Sequence, residues 1–260
     1  MSHLFIFGLG YSARVVREAA FAAGWQVSAT GSAGDMAFDD TAAVERALAG
    51  ASHVLSSVPP VDGRDPVLDR YGALLDGRPL AYLSSTGVYG DAGGAWVDEG
   101  APIGSGRRTA RSAADAAWLA LGARVLRLPG IYGPGRSALE RVAEGRAHRI
   151  DLSNQVFSRV HVADIASGVL AALAGPPGAY NLADDLPASQ NAVIEEACRL
   201  LDRDPPPLQT LEQAQLSPMA RGFYAENRRV ANGRARRVLG WRPAFADYRS
   251  GLLACLSAGG

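Results

Sequence analysis

The sequence predicts an α/β fold: a doubly wound parallel sheet with helices on both faces and a small C-terminal helical lobe. Short apolar strands alternate with amphipathic helices through the first half of the chain, and the links between them are short. After about residue 135 the alternation loosens and prolines cluster at Pro176-Pro177 and 205–207, which predicts the lobe. Residues 4–8 (LFIFG) form an apolar run ended by glycine, the pattern of a strand buried on both faces. Over residues 11–23 the apolar positions Ala13, Val16, Ala19, Ala20 and Ala23 recur at helical spacing, and Gly24 stops the helix. Strand 25–30, helix 41–49, strand 53–58, strand 80–84, helix 105–121 and strand 124–128 continue the alternation. Helices follow over 162–174, 190–201 and 232–239. One domain over residues 1–260 is expected, its lobe drawn mainly from about 135–155 and 182–245.

Composition narrows the function classes. With 260 residues, 48% hydrophobic and 20% charged, the chain can build one sizeable core. A formal net charge of zero does not steer it to nucleic acid or to an anionic membrane. No apolar run approaches the ~20 residues of a membrane span. The first strand begins near His3, leaving no room for a signal peptide, so a cytoplasmic location is expected. Cys198 and Cys255 read as small core hydrophobes, and no His/Cys/Asp cluster has metal-ligand spacing. All 26 basic residues are arginine, which excludes Schiff-base or lysine-base chemistry.

Ligands of doubly wound sheets bind beyond the carboxyl ends of the strands. There the sequence places Gly8-Leu9-Gly10-Tyr11-Ser12-Ala13, a GxGxxA pattern between the first strand and first helix. Gly8 permits a tight turn, Gly10 a close backbone approach, and Ala13 close helix–strand packing. A pyrophosphate then meets the free N–H groups of the helix start, with Tyr11 and Ser12 beside it. This is the mark of a Rossmann-type dinucleotide site, so NAD(H) or NADP(H) is the expected cofactor. The second strand ends Ser28-Ala29-Thr30-Gly31-Ser32, without the acid that would grip an NAD ribose, which tilts the expectation slightly to NADP(H). Thr30 and Ser32 are candidate ribose contacts. Asp39 either meets the adenine or caps the helix near Thr41. Val58, Pro59, Ser84, Pro129, Gly130 and Ile131 complete the strand-end set.

FGLGYSA (7–13), YLSSTGVYGD (82–91), LRLPGIYGPGR (126–136), RVHVADIA (159–166), YNLADD (180–185) and VLGWRP (238–243) together resemble the extended and atypical NAD-dependent epimerase/dehydratase branch of the short-chain dehydrogenase/reductase superfamily. The resemblance is nearest to nucleoside-diphosphate-sugar epimerase-like proteins. It implies a Ser85 that holds the substrate oxygen, with Thr86 beside it. It also implies a tyrosine and, four residues later, a lysine on helix 105–121. Counting back from Asp115 puts the lysine position at Arg111 and the tyrosine position at Arg107, so neither catalytic residue is present. Arg111 can still bond the nicotinamide ribose, but Arg107 cannot serve as an acid–base at neutral pH. Thr86-Gly87 stands where dehydratase members carry an Asp-Glu pair, which argues against a sugar dehydratase.

Two functions stay open. The first is an enzyme transferring hydride to or from a nucleotide-sugar or related carbonyl/hydroxyl compound, its catalytic set Ser85, Thr86 and Arg111. The second is a non-catalytic NAD(P)-binding sensor of redox state or a metabolite. Tyr89 and Tyr132 either supply the proton instead or, as the resemblance implies for the VYG and YGP motifs, pack and hydrogen-bond beside the site, and Tyr224 is a further candidate. Arg228, Arg229, Arg234, Arg236 and Arg237 either clamp a substrate pyrophosphate or form a solvated face. Asp98-Glu99 is expected to cap or salt-bridge the approach to helix 105–121, and His161 to pack. By the resemblance, helices 105–121 and 162–174 are the faces of a possible homodimer.

Overall fold

A computed structural model describes residues 2–105 and 109–259, with the side chains at 219, 220 and 259 left aside. Its centre is six strands: β1 (His3–Phe7), β2 (Gln26–Ala29), β3 (His53–Ser56), β4 (Leu80–Ser85), β5 (Arg124–Leu128) and β6 (Gly178–Asn181). They lie in the order β6-β5-β4-β3-β1-β2 and every pairing is parallel. The chain leaves β1 to one side and returns to the other at β3. That reversal is the switch point at which such sheets open a crevice.

Two-sided burial explains the apolar β1 run. Leu4 and Ile6 point into one core cluster, Phe5 and Phe7 into the other, and all four are wholly buried. On the Leu4 face lie α1 (Tyr11–Ala22), through Ala13, Val16 and Ala20, and a helix over Val162–Ala174, through Ile165, Val169 and Ala172. The Phe5 face is covered by α2 (Thr41–Gly50), α3 (Pro66–Tyr71) and α4 (Thr109–Ala120), whose Leu48, Tyr71 and Trp118 are buried there. A third cluster joins α5 (Ala138–Ala143), α7 (Gln190–Leu200) and α10 (Tyr248–Gly259), the Val162–Ala174 helix being α6. The short α8 (Pro218–Phe223) and α9 (Gly233–Val238) lead into α10.

Three elements differ from expectation. The helix expected over 105–121 starts, among the described residues, at Thr109, and the Ser105 hydroxyl donates to the Tyr89 carbonyl instead. Arg107 lies outside the described residues. Helix α3 forms where no helix was read, because Asp65 caps it through the Val67 and Leu68 N–H groups and Pro66 opens it. Helix α10, beyond the expected lobe, inserts Tyr248, Leu252 and Cys255 into the third cluster. Beyond β2 the classic six-stranded order has one more strand. Here it shrinks to a single parallel bridge, Thr30 to Met36, and no helix intervenes before α2. Among the described residues no helix is long and apolar enough to cross a membrane, and no three potential ligands gather as a metal site.

Candidate active site

The glycine bend sits at the switch point. Gly8 has φ +81, and a Cβ there would stand 2.9 Å from Val58 Cγ2 and 3.3 Å from Ser57 Oγ. Only glycine meets both demands. The bend is pinned by Thr30, whose hydroxyl accepts the Gly8 N–H (3.0 Å) and whose carbonyl accepts the Leu9 N–H (2.9 Å). Thr30 is wholly buried, which corrects its reading as a ribose contact: the hydroxyl is spent on shaping the turn.

Gly10 is the N-cap of α1 and supplies no side-chain cap. It is exposed, and a Cβ added to it would meet nothing within 4 Å. The first-turn N–H groups have no partner within the helix, so they and the positive end of its dipole face open space. A diphosphate fits this cradle in shape and charge. Ala13 is buried against the sheet as expected, and Ser12 is half-buried. Tyr11 turns elsewhere: its hydroxyl donates to the Pro134 carbonyl (3.1 Å) and Arg136 lies over its ring at 5.4 Å. It ties the glycine bend to the loop after β5 rather than reaching into the cradle.

Beside the cradle, at the carboxyl end of β2, opens a cavity of about 450 Å³ lined by Gly31, Ser32 and residues 34–38. Ser32 is one of its lining residues. Asp39 lies just past its rim, exposed, with its carbonyl accepting from Arg70. Its alternative reading as the cap of α2 is corrected, since Asp40 accepts the Ala43 N–H in that role. Asp35, which sequence reasoning passed over, folds back onto β2: its carboxylate accepts the Ala29 N–H and its own N–H donates to the Ala29 carbonyl, both at 2.8 Å. The strand itself ends without an acid, but the loop after it brings this carboxylate back to the strand edge. The one sequence signal was the glycine spacing of Gly31 and Gly34, which lets the chain reverse.

Further along the crevice, Val58 borders Gly8 and Pro59 is exposed. After β5, Gly130 is exposed and its N–H donates to the Ser158 carbonyl (3.1 Å), while Ile131 pairs with Val160. At the end of β4 the Ser85 hydroxyl accepts the Gly87 N–H (3.1 Å), which leaves its own proton for a ligand. Thr86 is buried beside it. Ser84 is drawn away, donating to Asp115 (2.6 Å). Asp115 holds Arg127 by two bonds of 2.7 and 3.0 Å. The network runs on from Arg127 to the Tyr89 hydroxyl (3.0 Å), from there to Asn181 (2.8 Å), and from the Asn181 N–H to Glu99 (2.6 Å). Ser84 is therefore part of a buried polar wall, not a free cofactor contact. Glu99 serves the end of β6, not the approach to α4.

The chain has a close relative of known structure and a wider circle of similar folds. A functionally unknown conserved protein from Silicibacter pomeroyi is 38% identical, with a TM-score of 0.87 over 99% of both chains. The dTDP-glucose 4,6-dehydratase of Bacillus anthracis, solved in complex with NAD, is 15% identical and superposes over 99% of this chain and 96% of its own with a TM-score of 0.78. The chain shares the fold of that dehydratase and of the UDP-glucose 4-epimerase of Thermus thermophilus, solved in complex with NAD, which is 20% identical with a TM-score of 0.73. It shares a family with the Silicibacter protein. A curated relative, the 3-diazoavenalumate denitrifying reductase of a Streptomyces species, is 32% identical over 140 residues, 49% of this chain. That match takes in only 45% of the reductase's length. No protein-family model matches the chain.

Within the shared fold, Arg111 projects from α4 to β4, donating to the Tyr82 hydroxyl (2.7 Å) and the Leu83 carbonyl (3.3 Å). Burial pushes Tyr82 up to about 12 despite that cation, and burial likewise raises Tyr89 and Tyr132. None of the three carries the lowered pKa of an activated tyrosine. Tyr224 packs edge-on against Phe157 (5.6 Å); burial raises it, with Arg141 and Arg159 opposing. His161 is buried and caps α6, and burial lowers it to about 4.

The arginines proposed as a pyrophosphate clamp are largely committed elsewhere. Arg228 bonds the Gly90 carbonyl and Glu226, Arg229 the Gly94 carbonyl, and Arg236 pairs with Asp185, while Arg234 lies over the Tyr180 ring. They stitch the lobe to the sheet. At the end of β6 the backbone N–H of the buried Asp184 donates to the Arg159 carbonyl (2.8 Å), its carboxylate oxygens have no hydrogen-bond partner among the described residues, and desolvation, partly offset by Arg159, pushes it up to about 8.

Proposed function

We propose that this protein is an NAD(P)(H)-dependent oxidoreductase moving hydride between the nicotinamide and a nucleotide-sugar or related carbonyl/hydroxyl compound. The observation that carries the reading is the bare start of α1 behind Gly8 and Gly10, opening at the switch point of the sheet. The NAD-complexed dehydratase of the same fold and the partial match to a reductase support it.

A bound nicotinamide supplies the hydride or accepts it. The first-turn amides of α1 hold the diphosphate, and the cavity at the end of β2 takes the adenosine. Ser85 orients the substrate oxygen with its free hydroxyl proton. Arg111, anchored on Tyr82 and Leu83, contributes positive potential next to β4. With no tyrosine on the described part of α4 and the nearby tyrosines raised by burial, water reaching the crevice exchanges the proton. NADH deuterated at C4 should pass its label into product from a panel of nucleotide-sugars and simpler carbonyl compounds. Ser85→Ala should lower that rate about 100-fold; an unchanged rate would reject the role of Ser85.

The second reading, a sensor that binds the dinucleotide without turnover, draws on the same absence of a Tyr/Lys pair. It predicts saturable binding with no label transfer to any compound of the panel.

A further inference from the structure

We infer that Asp35 selects NAD(H) over NADP(H), its carboxylate accepting the adenosine ribose hydroxyls and repelling a 2′-phosphate. The inference rests on the dinucleotide reading above and adds to it a specificity determinant that lies outside the strand where such an acid is ordinarily sought.

Four observations carry it. First, the cavity at the end of β2 adjoins the phosphate cradle: a Cβ on Gly31, one of its lining residues, would stand 3.2 Å from the Leu9 N of the glycine bend. A single extended ligand can therefore occupy both. Second, Asp35 is held rigidly. β2 is the edge strand, so the outward N–H and C=O of Ala29 lack a neighbouring strand, and Asp35 takes both, each at 2.8 Å. Only Oδ2 is used in this, and Oδ1 is left as an acceptor.

Third, the reversal that delivers Asp35 depends on Gly34, where a Cβ would lie 2.5 Å from the Ala29 carbonyl oxygen and 2.7 Å from the Thr30 carbonyl carbon. Backbone cannot yield as a flexible side chain can. Fourth, no residue lining the cavity is cationic, and Asp35 is its one charged group. The arginines on the adjoining helices do not line it: Arg14, Arg17 and Arg46 of α1 and α2 lie outside its wall, and Arg70 of α3 is bound to the Asp39 carbonyl and the Thr41 hydroxyl. A 2′-phosphate would thus meet a fixed carboxylate with no counter-charge, whereas a ribose hydroxyl finds an acceptor.

The test is fluorescence titration of the wild type and Asp35→Asn with NADH and with NADPH at one fixed ionic strength. Asparagine keeps an oxygen for the Ala29 N–H, so the loop remains in place while the charge goes. The wild type should bind NADPH at least about tenfold more weakly than NADH, and Asp35→Asn should bring the two within about threefold, mainly by tightening NADPH. Equal affinities in the wild type, or an unchanged ratio in Asp35→Asn, would overturn the inference and leave the dinucleotide reading standing. Binding of neither coenzyme would remove both.

Discussion

Asp115→Ala is expected to lower folding stability by about 3–5 kcal/mol, the usual result of stripping one partner from a buried ion pair. Asp115 is wholly buried and Arg127 is 3% exposed. The guanidinium is held by two charge-assisted bonds to Asp115, and its remaining partner is the Tyr89 hydroxyl. Without Asp115 a desolvated cation is left facing a neutral phenol and a cavity. Since small domains are stable by only about 5–15 kcal/mol, such a loss leaves little margin. Asp115→Asn preserves the shape and one acceptor and should cost less. Urea unfolding of the three proteins checks the order, and a loss below about 1 kcal/mol for alanine would show that water replaces the carboxylate.

Gly10→Val should have the opposite profile, with little effect on the fold and a large one on binding. Gly10 has φ −82, which any residue adopts, and a Cβ there meets no atom within 4 Å. Replacing a glycine N-cap by an apolar residue costs about 1 kcal/mol or less. Yet the valine methyl groups would fill the space over the α1 amides. NADH affinity should fall at least about 100-fold, equivalent to about 2.7 kcal/mol, with the melting temperature shifted by only a few degrees. Gly8→Ala provides the contrast. Its φ of +81 and the 2.9 Å approach to Val58 make any side chain there a strain on the fold itself. Comparable losses of stability for the two variants would mean that Gly10 also holds the fold.

The features legible in the sequence were those encoded over short spans. The alternation of β1 through β5 with helices, and the GxGxxA bend, follow from hydrophobic period and from glycine at two positions. What stayed hidden depends on chain reversals and on contacts between distant elements. Asp35 lies six residues after Ala29, and only the folded loop shows that it returns to the strand edge. Thr30 looked like a free hydroxyl at a strand end, but its burial is decided by how closely Gly8 approaches β2. Asp115 served as a landmark for a missing catalytic pair. Its bond to Arg127 requires that α4 pack across β5, which no local pattern states. Helix α3 was missed because it is only six residues long and owes its existence to the Asp65 cap and two buried side chains.

The central claim concerns the start of α1 as a diphosphate cradle, and a calorimetric titration of the purified wild-type chain with NADH tests it most directly. The account predicts saturable one-to-one binding with a dissociation constant in the micromolar range, about −8 kcal/mol at 1 μM. Heat no greater than dilution up to millimolar coenzyme would contradict it.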